Sequence, residues 1–200
     1  LVSQSDYLMP AKPRQQAVKL QEELLGAGDG HEQVSSSSRP FSPEISFDQN
    51  MNLFFEGAEV LLEHHPGSNV AGIWAILPQE KVIFVGDSVM VNQPPFLAYS
   101  DLIAWVADLK LLASKAFKGY QIVSSRAGLV TQDQVREMGK LMTFIQNSIT
   151  SLQEKHADLE AYLELTPRIL KRIEYTPDEG ELFFNRLRWG LTTYYELNQA

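Results

Sequence analysis

The stretch AEVLLEHHPGSNVAGIWAILPQEKVIFVGD, residues 58–87, decides the fold of this chain. It contains three short apolar runs, at residues 59–63, 73–77 and 82–85. These runs predict three β-strands, and near-continuous apolar runs are typical of strands that are covered on both faces. The last strand delivers Asp87 to an edge of the sheet, where carboxylates are common site residues. Taken alone, an aspartate there more often forms a turn or a cap.

The segments on either side of this stretch continue an α/β pattern. Residues 45–47 and 53–55 are strand candidates that lead through a Glu56-Gly57 turn into the first of the three strands. Downstream, Ser100 is the predicted cap of a helix over 101–116, whose apolar face is expected to pack on the sheet. That face consists of Leu102, Val106, Leu109 and Ala113. A strand over 120–123 and a small-residue loop over 124–128 follow.

The last third of the chain is predicted to be helical. Thr131 and Gln134 form a capping box, and apolar residues then recur at spacings of three and four as far as Leu163. His156 lies on this stripe, which favours a core or interface position. An unbroken helix here would be about 50 Å long, whereas a break near 148–151 would fold it back. Thr176 begins a final capping box and a helix to about Leu197, whose many aromatic residues imply burial on more than one side.

The first 43 residues are predicted to contain little regular structure. Residues 1–6 are a candidate edge strand, and residues 14–25 a helix. The glycines at positions 26, 28 and 30 follow no strand, so they indicate a linker and not a nucleotide loop. Four serines in a row and two prolines make 31–43 a flexible connection, in which His31 is a solvated residue.

Composition excludes several classes of function. The chain has 200 residues, a formal net charge of -8 and 44% apolar residues, which describes a globular protein without the clustered Lys and Arg that nucleic acids or anionic membranes require. It contains no cysteine, so a metal site would depend on His, Asp or Glu. No apolar run is long enough for a membrane span. We therefore expect a soluble protein of the cytoplasm that binds neither nucleic acid nor membrane.

The segment Leu77-Pro78-Gln79-Glu80-Lys81-Val82-Ile83-Phe84-Val85-Gly86-Asp87 resembles the LPEEKVLFxGD motif of metallo-β-lactamase-fold hydrolases. That motif presents a metal-bridging aspartate, which places Asp87 on a metal-ligand position. The resemblance covers residues 43–149 and implies the second half of an αββα sandwich, with a helical extension at the C-terminus. It divides the chain into an N-terminal strand, helix and linker (1–43), the metallo-β-lactamase-like half (44–150) and the extension (151–200).

Two other ligand positions depart from the family pattern. Ser68 stands where the family has the histidine of PGHT, and Arg126 stands where it has the histidine of PGHG. The upstream HxHxDH motif has no counterpart, because no H-x-H occurs in the sequence. His64 and His65 are adjacent and point to opposite sides of an extended segment, so only one of them, with His65 as the candidate, could join Asp87 at a metal. One histidine and one carboxylate make a poor site, which favours a structural role for the pair.

These departures lead to two hypotheses. In the first, the chain is a non-catalytic binding or assembly module that needs no cofactor, and Arg126 replaces the metal by pairing with Asp87. In the second, it is a metal-dependent hydrolase that uses zinc, iron or manganese and takes its first ligands from an upstream HxHxDH segment. Half of a two-sheet fold exposes an apolar sheet face, so we expect a homo-oligomer, or the missing half of the fold, to cover it. The helical extension is expected to form a lid over the old site or a dimer contact.

Overall fold

A computed structural model of the chain describes residues 2–4 and 45–198. Strand β1 (Val2–Gln4) pairs in parallel with β2 (Ile45–Phe47). The predicted helix over 14–25, the glycine-rich linker, the flexible connection over 31–43 and His31 lie outside the described residues. The predicted edge strand over 1–6 is observed at its centre, as β1.

A six-stranded mixed sheet forms the centre of the fold, in the order β3-β4-β5-β6-β7-β8. The strands are β3 (Asn50–Phe55), β4 (Ala58–His64), β5 (Ile73–Leu77), β6 (Val82–Phe84), β7 (Gln121–Ser124) and β8 (Gly128–Val130). Neighbours are antiparallel except β6 and β7, which are parallel and are joined by a helical crossover. The three strands predicted within residues 58–87 are confirmed, whereas the sequence pattern did not predict β8.

The two faces of the sheet have different surroundings. Trp74, Ile76 and Ile83 point to one face and share a single buried cluster with the helices. Phe84, on the opposite face, is 45% exposed, and Leu129, two strands away on that face, is 69% exposed. The prediction that these strands are covered on both faces is therefore wrong for β6, where Phe84 is exposed, whereas Leu62 of β4 lies on the same face and is buried. Among the described residues the expected exposed apolar face is observed at β6 and β8.

Helix α1 (Leu102–Leu112) provides the crossover between β6 and β7. Its cap is Asp101 and not Ser100, because the Asp101 carboxylate accepts a hydrogen bond from the backbone N–H of Ala104 at 2.9 Å. The helix ends four residues earlier than predicted, and a separate 3-10 turn follows over Lys115–Phe117. Its predicted apolar face is largely buried, with Leu102 and Leu109 among the core residues.

Helix α2 (Gln132–Glu154) begins at the predicted Thr131–Gln134 capping box. Its apolar stripe is buried inside the chain, at Val135, Met138, Met142, Ile145 and Ile149. The chain folds back, but after Glu154 and not near 148–151. The turn contains His156 at a positive φ of 50°, exposed to solvent, so the predicted core or interface position of His156 is wrong.

Three further helices complete the fold. Helix α3 (Leu159–Leu163) and helix α4 (Leu165–Leu170) lead to the predicted Thr176 capping box, and α5 (Gly180–Leu197) follows a 3-10 turn. Residues of α4 and α5 belong to the same buried cluster as the sheet, so the core continues across residue 150. The division into three regions stays a prediction. Among the described residues no helix has the length and apolar character of a membrane span.

Candidate functional site

Asp87 lies in a short 3-10 turn, Gly86–Ser88, immediately after the end of β6. Val85 is fully buried below it, whereas the Asp87 side chain is 38% exposed. Gly86 adopts a positive φ of 56°, a backbone conformation that glycine takes without steric cost. The change from a buried strand to a turn therefore places the carboxylate at the surface, beside the edge where β6 and β7 run in parallel.

Two buried tryptophans fix this turn from below. The indole N–H of Trp74 donates to the Ser88 hydroxyl at 3.0 Å, and that of Trp105 donates to the Ser88 backbone carbonyl at 2.8 Å. Trp74 belongs to β5 and Trp105 to α1, and both are almost completely buried. The sheet and the crossover helix thus hold the residue that follows Asp87, which fixes the position of the carboxylate.

The loop after β7 faces Asp87 and is shaped by a buried serine. The Ser124 hydroxyl donates to the Val89 carbonyl at 2.6 Å and accepts from the backbone N–H groups of Arg126 and Ala127 at 3.1 and 3.3 Å. The Ser125 backbone N–H donates to the Gly86 carbonyl at 3.0 Å. These bonds join the loop to the Asp87 turn and direct Arg126 towards it.

Arg126 and Asp87 form an ion pair. Nε of Arg126 donates to Oδ1 of Asp87 at 3.2 Å, and its terminal nitrogen NH2 donates to Oδ2 at 3.4 Å. The Ser125 hydroxyl donates to the same Oδ1. The predicted contact between Arg126 and Asp87 is thus confirmed. Because the Arg126 side chain is 49% exposed, solvent screens the pair and its contribution to stability is small.

His65 lies in a separate, buried cluster. Its Nδ1 is 2.7 Å from Oδ1 of Asp108 on α1, and its Nε2 is 3.3 Å from Oε2 of Glu63 on β4. The ring stacks on Trp74 with 3.7 Å between ring centroids. Both ring nitrogens of His65 therefore have carboxylate partners, and neither is turned towards a shared site with Asp87.

The neighbouring residues also have structural contacts. Nε2 of His64 lies 2.8 Å from the Val70 carbonyl, which closes the corner between β4 and β5. Ser68 is half-buried in that corner, next to Gly67. A Cβ on Gly67 would lie 2.4 Å from Cα of Trp105, so only glycine allows the corner to approach α1 this closely.

Helix α5 covers the loop that follows Asp87. Trp189 packs on Phe96 at 4.9 Å and on Tyr99 at 6.4 Å between ring centroids. A Cβ on Gly190 would lie 3.3 Å from the backbone nitrogen of Leu97, which shows how closely helix and loop approach. Of the two predictions for the helical extension, a lid agrees with these contacts with the loop after Asp87, and a dimer contact stays a prediction.

Arg186 extends from α5 towards the same place. Its guanidinium lies 3.4 Å from Oε1 of Gln93 and 5.8 Å from the centre of the Phe96 ring. Burial lowers the pKa of Arg186, the positive charge of Arg126 lowers it further, and the negative charge of Asp87 raises it. These influences indicate that Arg186, Arg126 and Asp87 form one group of interacting charges.

A cleft of about 620 Å³ opens beside Arg186. Polar and apolar side chains share its lining. They include Asn92, Gln93, Tyr175, Leu182, Phe183 and Arg186. Its size falls within the range of sites that take small molecules.

The residues present do not fit the metal that the fold family implies. Arg126 is a cation with hydrogen-bond donors alone, and it occupies both oxygens of Asp87. Both nitrogens of His65 are engaged elsewhere. Within 2–4 and 45–198, no three His, Asp or Glu side chains are grouped as a metal site would require. The side chains around Asp87 therefore support no metal-dependent step.

Comparisons with known proteins were made by sequence and by structure. No family model matches the chain, and no curated protein matches it significantly in sequence. A metallo-β-lactamase family protein from Thermus thermophilus superposes on 95% of this chain with a TM-score of 0.54 and 18% identity. The inverting sec-alkylsulfatase from Pseudomonas sp. superposes on 79% with a TM-score of 0.55 and 14% identity.

These similarities show that the chain has the metallo-β-lactamase fold, as the resemblance predicts. The chain spans 62% of the Thermus protein and 27% of the sulfatase. At these levels of identity the likeness concerns the fold alone. The shared architecture is a mixed α/β fold with a sheet and a C-terminal helix.

Sequence reasoning missed several residues of this site. Ser88 and Ser125 gave no signal, because their partners are 14 and 38 residues away in the chain. Arg186 lies on a helix whose apolar residues dominate the sequence pattern. A charged residue among aromatic ones on a buried helix was the signal that could have indicated it.

Proposed function

We propose that this chain is a non-catalytic binding module on the metallo-β-lactamase fold, in which an arginine takes the place of the metal. The observation that carries the proposal is the contact of Arg126 with both oxygens of Asp87. The family resemblance puts a metal-bridging aspartate at position 87 and a histidine ligand at position 126. Here the second position holds a permanent cation.

The guanidinium performs the electrostatic part of the metal's role without its chemistry. Its positive charge is spread over a planar fork that matches the two oxygens of a carboxylate. It has no vacant orbital to polarise a substrate and no bound water to activate, which are the catalytic contributions of a metal ion. The Asp87 turn can thus keep its shape while the hydrolytic function is lost.

Metal analysis of the purified chain tests this proposal. After incubation with zinc, iron or manganese salts and removal of free ions, we expect far less than one ion per chain by plasma mass spectrometry. About one or two ions per chain would instead indicate the hydrolase. The number of bound ions is also measured for Arg126→His, because this variant restores an imidazole at the ligand position. Arg136→His, on the exposed surface of α2, is the matched control for an added histidine.

The hydrolase stays as the second candidate because one observation favours it. Asp87 is intact at the end of β6 and remains 38% exposed, so its carboxylate is accessible to an ion. This candidate requires that the other ligands come from residues beyond the described ones. It predicts that metal binding is lost in Asp87→Ala, whereas the binding-module proposal predicts no change in metal content for that variant.

We also propose that the exposed apolar face of the sheet associates with a second copy of this chain. The face carries large side chains that are well exposed, namely Phe55, Phe84 and Leu129. Exposed apolar groups of this size on one face of a sheet are typical of an association surface. Light scattering should give a mass above the 22.6 kDa of one chain. Leu129→Lys should shift the mass towards 22.6 kDa, and Ile103→Lys, on the exposed side of α1, should not. A cooperatively melting monomer in the unmodified chain contradicts this part of the proposal.

A further inference from the structure

The arginine on helix α5 lacks a balancing charge. Arg186 is half-buried, and among the described residues no carboxylate lies within ion-pairing distance of its guanidinium. The nearby Asp87 is already engaged by Arg126. The one hydrogen-bond partner of Arg186 in the described chain is the neutral side chain of Gln93. A partly desolvated cation without a counter-charge is costly in a fold unless a ligand supplies that charge.

We propose that the cleft beside Arg186 binds a small organic anion, with an oxyanion group against the guanidinium and an apolar body against the aromatic wall. This inference rests on the proposed binding role and specifies the chemical class of the ligand. The anion is a phosphate, sulfate or carboxylate group, because each presents oxygens that match the arginine fork.

The charges around the cleft fit one anionic group at this position. Arg126 and Arg186 together outnumber Asp87, and the two guanidiniums disfavour each other's charge, which lowers the pKa of Arg186 beyond the larger effect of its burial. A bound anion relieves that repulsion. Two glutamates also line the cleft, but neither forms an ion pair with Arg186, so the attraction for an anion is confined to the Arg186 end of the cleft. Glu179 accepts instead from the Thr176 backbone N–H at 2.9 Å and from the Thr176 hydroxyl at 2.8 Å. Glu174 is exposed, so solvent screens its charge.

The apolar part of the ligand has a defined wall. Tyr175 and Phe183 pack edge to face with 5.7 Å between ring centroids, and Leu182, which is 46% exposed, lies beside them. Asn92 and Gln93 provide amide groups at the polar side of the cleft. Such a combination of a few polar groups and an apolar lining is typical of small-molecule sites.

Calorimetric titration of the metal-free chain with phenyl phosphate tests the proposal, with inorganic phosphate as the probe that lacks the ring. We expect saturable binding of phenyl phosphate with a Kd of about 1 mM or tighter. Inorganic phosphate should bind several-fold more weakly, because it leaves the aromatic wall uncovered. Arg186→Gln should weaken phenyl phosphate binding by about tenfold or more, since a charge-assisted pair is lost.

Arg188→Gln is the matched control, because Arg188 lies on the same helix and packs over Phe184, outside the cleft. It should leave the affinity unchanged. Arg186→Lys retains the charge without the fork and should give an intermediate affinity, which separates anion recognition from a general loss of folding. Equal weakening by the Arg186 and Arg188 variants, equal affinity for the two phosphates, or the absence of saturable binding overturns the proposal. Metal content distinguishes this failure from that of the proposed function. If the chain is free of metal and does not bind phenyl phosphate, only the anion site is refuted.

Discussion

Asp87 and Asp108 are both aspartates with a basic partner, but their surroundings are opposite. The Asp87–Arg126 pair is exposed, with 38% and 49% of the two side chains accessible. The Asp108–His65 pair is buried, with 11% and 10% accessible. The first pair joins the turn after β6 to the loop after β7, and the second lies between the sheet and α1.

The difference separates residues that stabilise the fold from residues that can change their partner without unfolding the chain. A buried pair cannot exchange its partner for water, so its loss destabilises the protein strongly. An exposed pair exchanges its partner at little cost, so it can be altered without unfolding the chain. The sequence left His65 as a candidate partner of Asp87 at a metal and favoured a structural role for it, and the structure places the two residues in these two different groups.

The largest effect is expected for Asp108→Ala. This change leaves His65 buried without its closest partner and should lower the free energy of unfolding by about 3 kcal/mol or more. Urea unfolding followed by circular dichroism measures the loss. Asp133→Ala is the control, because Asp133 forms an exposed pair with Arg136 and should cost less than about 1 kcal/mol. Similar losses in both variants contradict the distinction between buried and exposed pairs.

A smaller effect is expected for Ser88→Ala. Ser88 connects the two regions, because it follows Asp87 and binds the Trp74 ring that stacks on His65. The variant removes the acceptor of the buried Trp74 indole and should cost about 1–3 kcal/mol. Ser125→Ala removes an exposed hydroxyl that donates to Asp87 and should change stability by less than about 0.5 kcal/mol. The same unfolding measurement compares them, and a larger loss in the Ser125 variant would show that the exposed site is the more rigid one.

Arg126→Gln should have little effect on stability. The exposed ion pair contributes about 1 kcal/mol or less, and raising the salt concentration should reduce that difference further. Unfolding curves at low and high ionic strength test both statements. A loss above about 2 kcal/mol would mean that the pair belongs to the structural framework after all.

The weakest effect concerns the exposed cap of the last helix. Hydrogen bonds from Thr176 lower the pKa of Glu179, so its ionised form is favoured in the folded chain. The cap therefore stabilises the helix start above the usual pKa of a glutamate, and this contribution is lost as the pH falls through the lowered value. An NMR titration of the Glu179 carboxyl carbon measures the pKa. It should rise towards the usual range in Thr176→Val, and an unchanged value would refute the role of the hydroxyl.

Local features of this fold could be predicted from the sequence, and distant pairings could not. The three strands of residues 58–87 and the capping boxes at Thr131 and Thr176 depend on neighbouring residues. The pairing of His65 with Asp108 joins positions 43 residues apart and depends on how α1 lies on the sheet. The contact of Arg126 with Asp87 was predictable only because the family resemblance placed both at one site. Arg186 contacts Gln93 and Phe96 in the loop after Asp87 through the packing of α5, which no local pattern encodes.

The most direct test of the central claim is an X-ray anomalous difference map from crystals grown with a zinc salt. The proposal predicts no anomalous peak beside Asp87, and Nε of Arg126 within about 3.5 Å of a carboxylate oxygen. A zinc peak about 2.0–2.2 Å from an Asp87 oxygen, with Arg126 turned away, would contradict it.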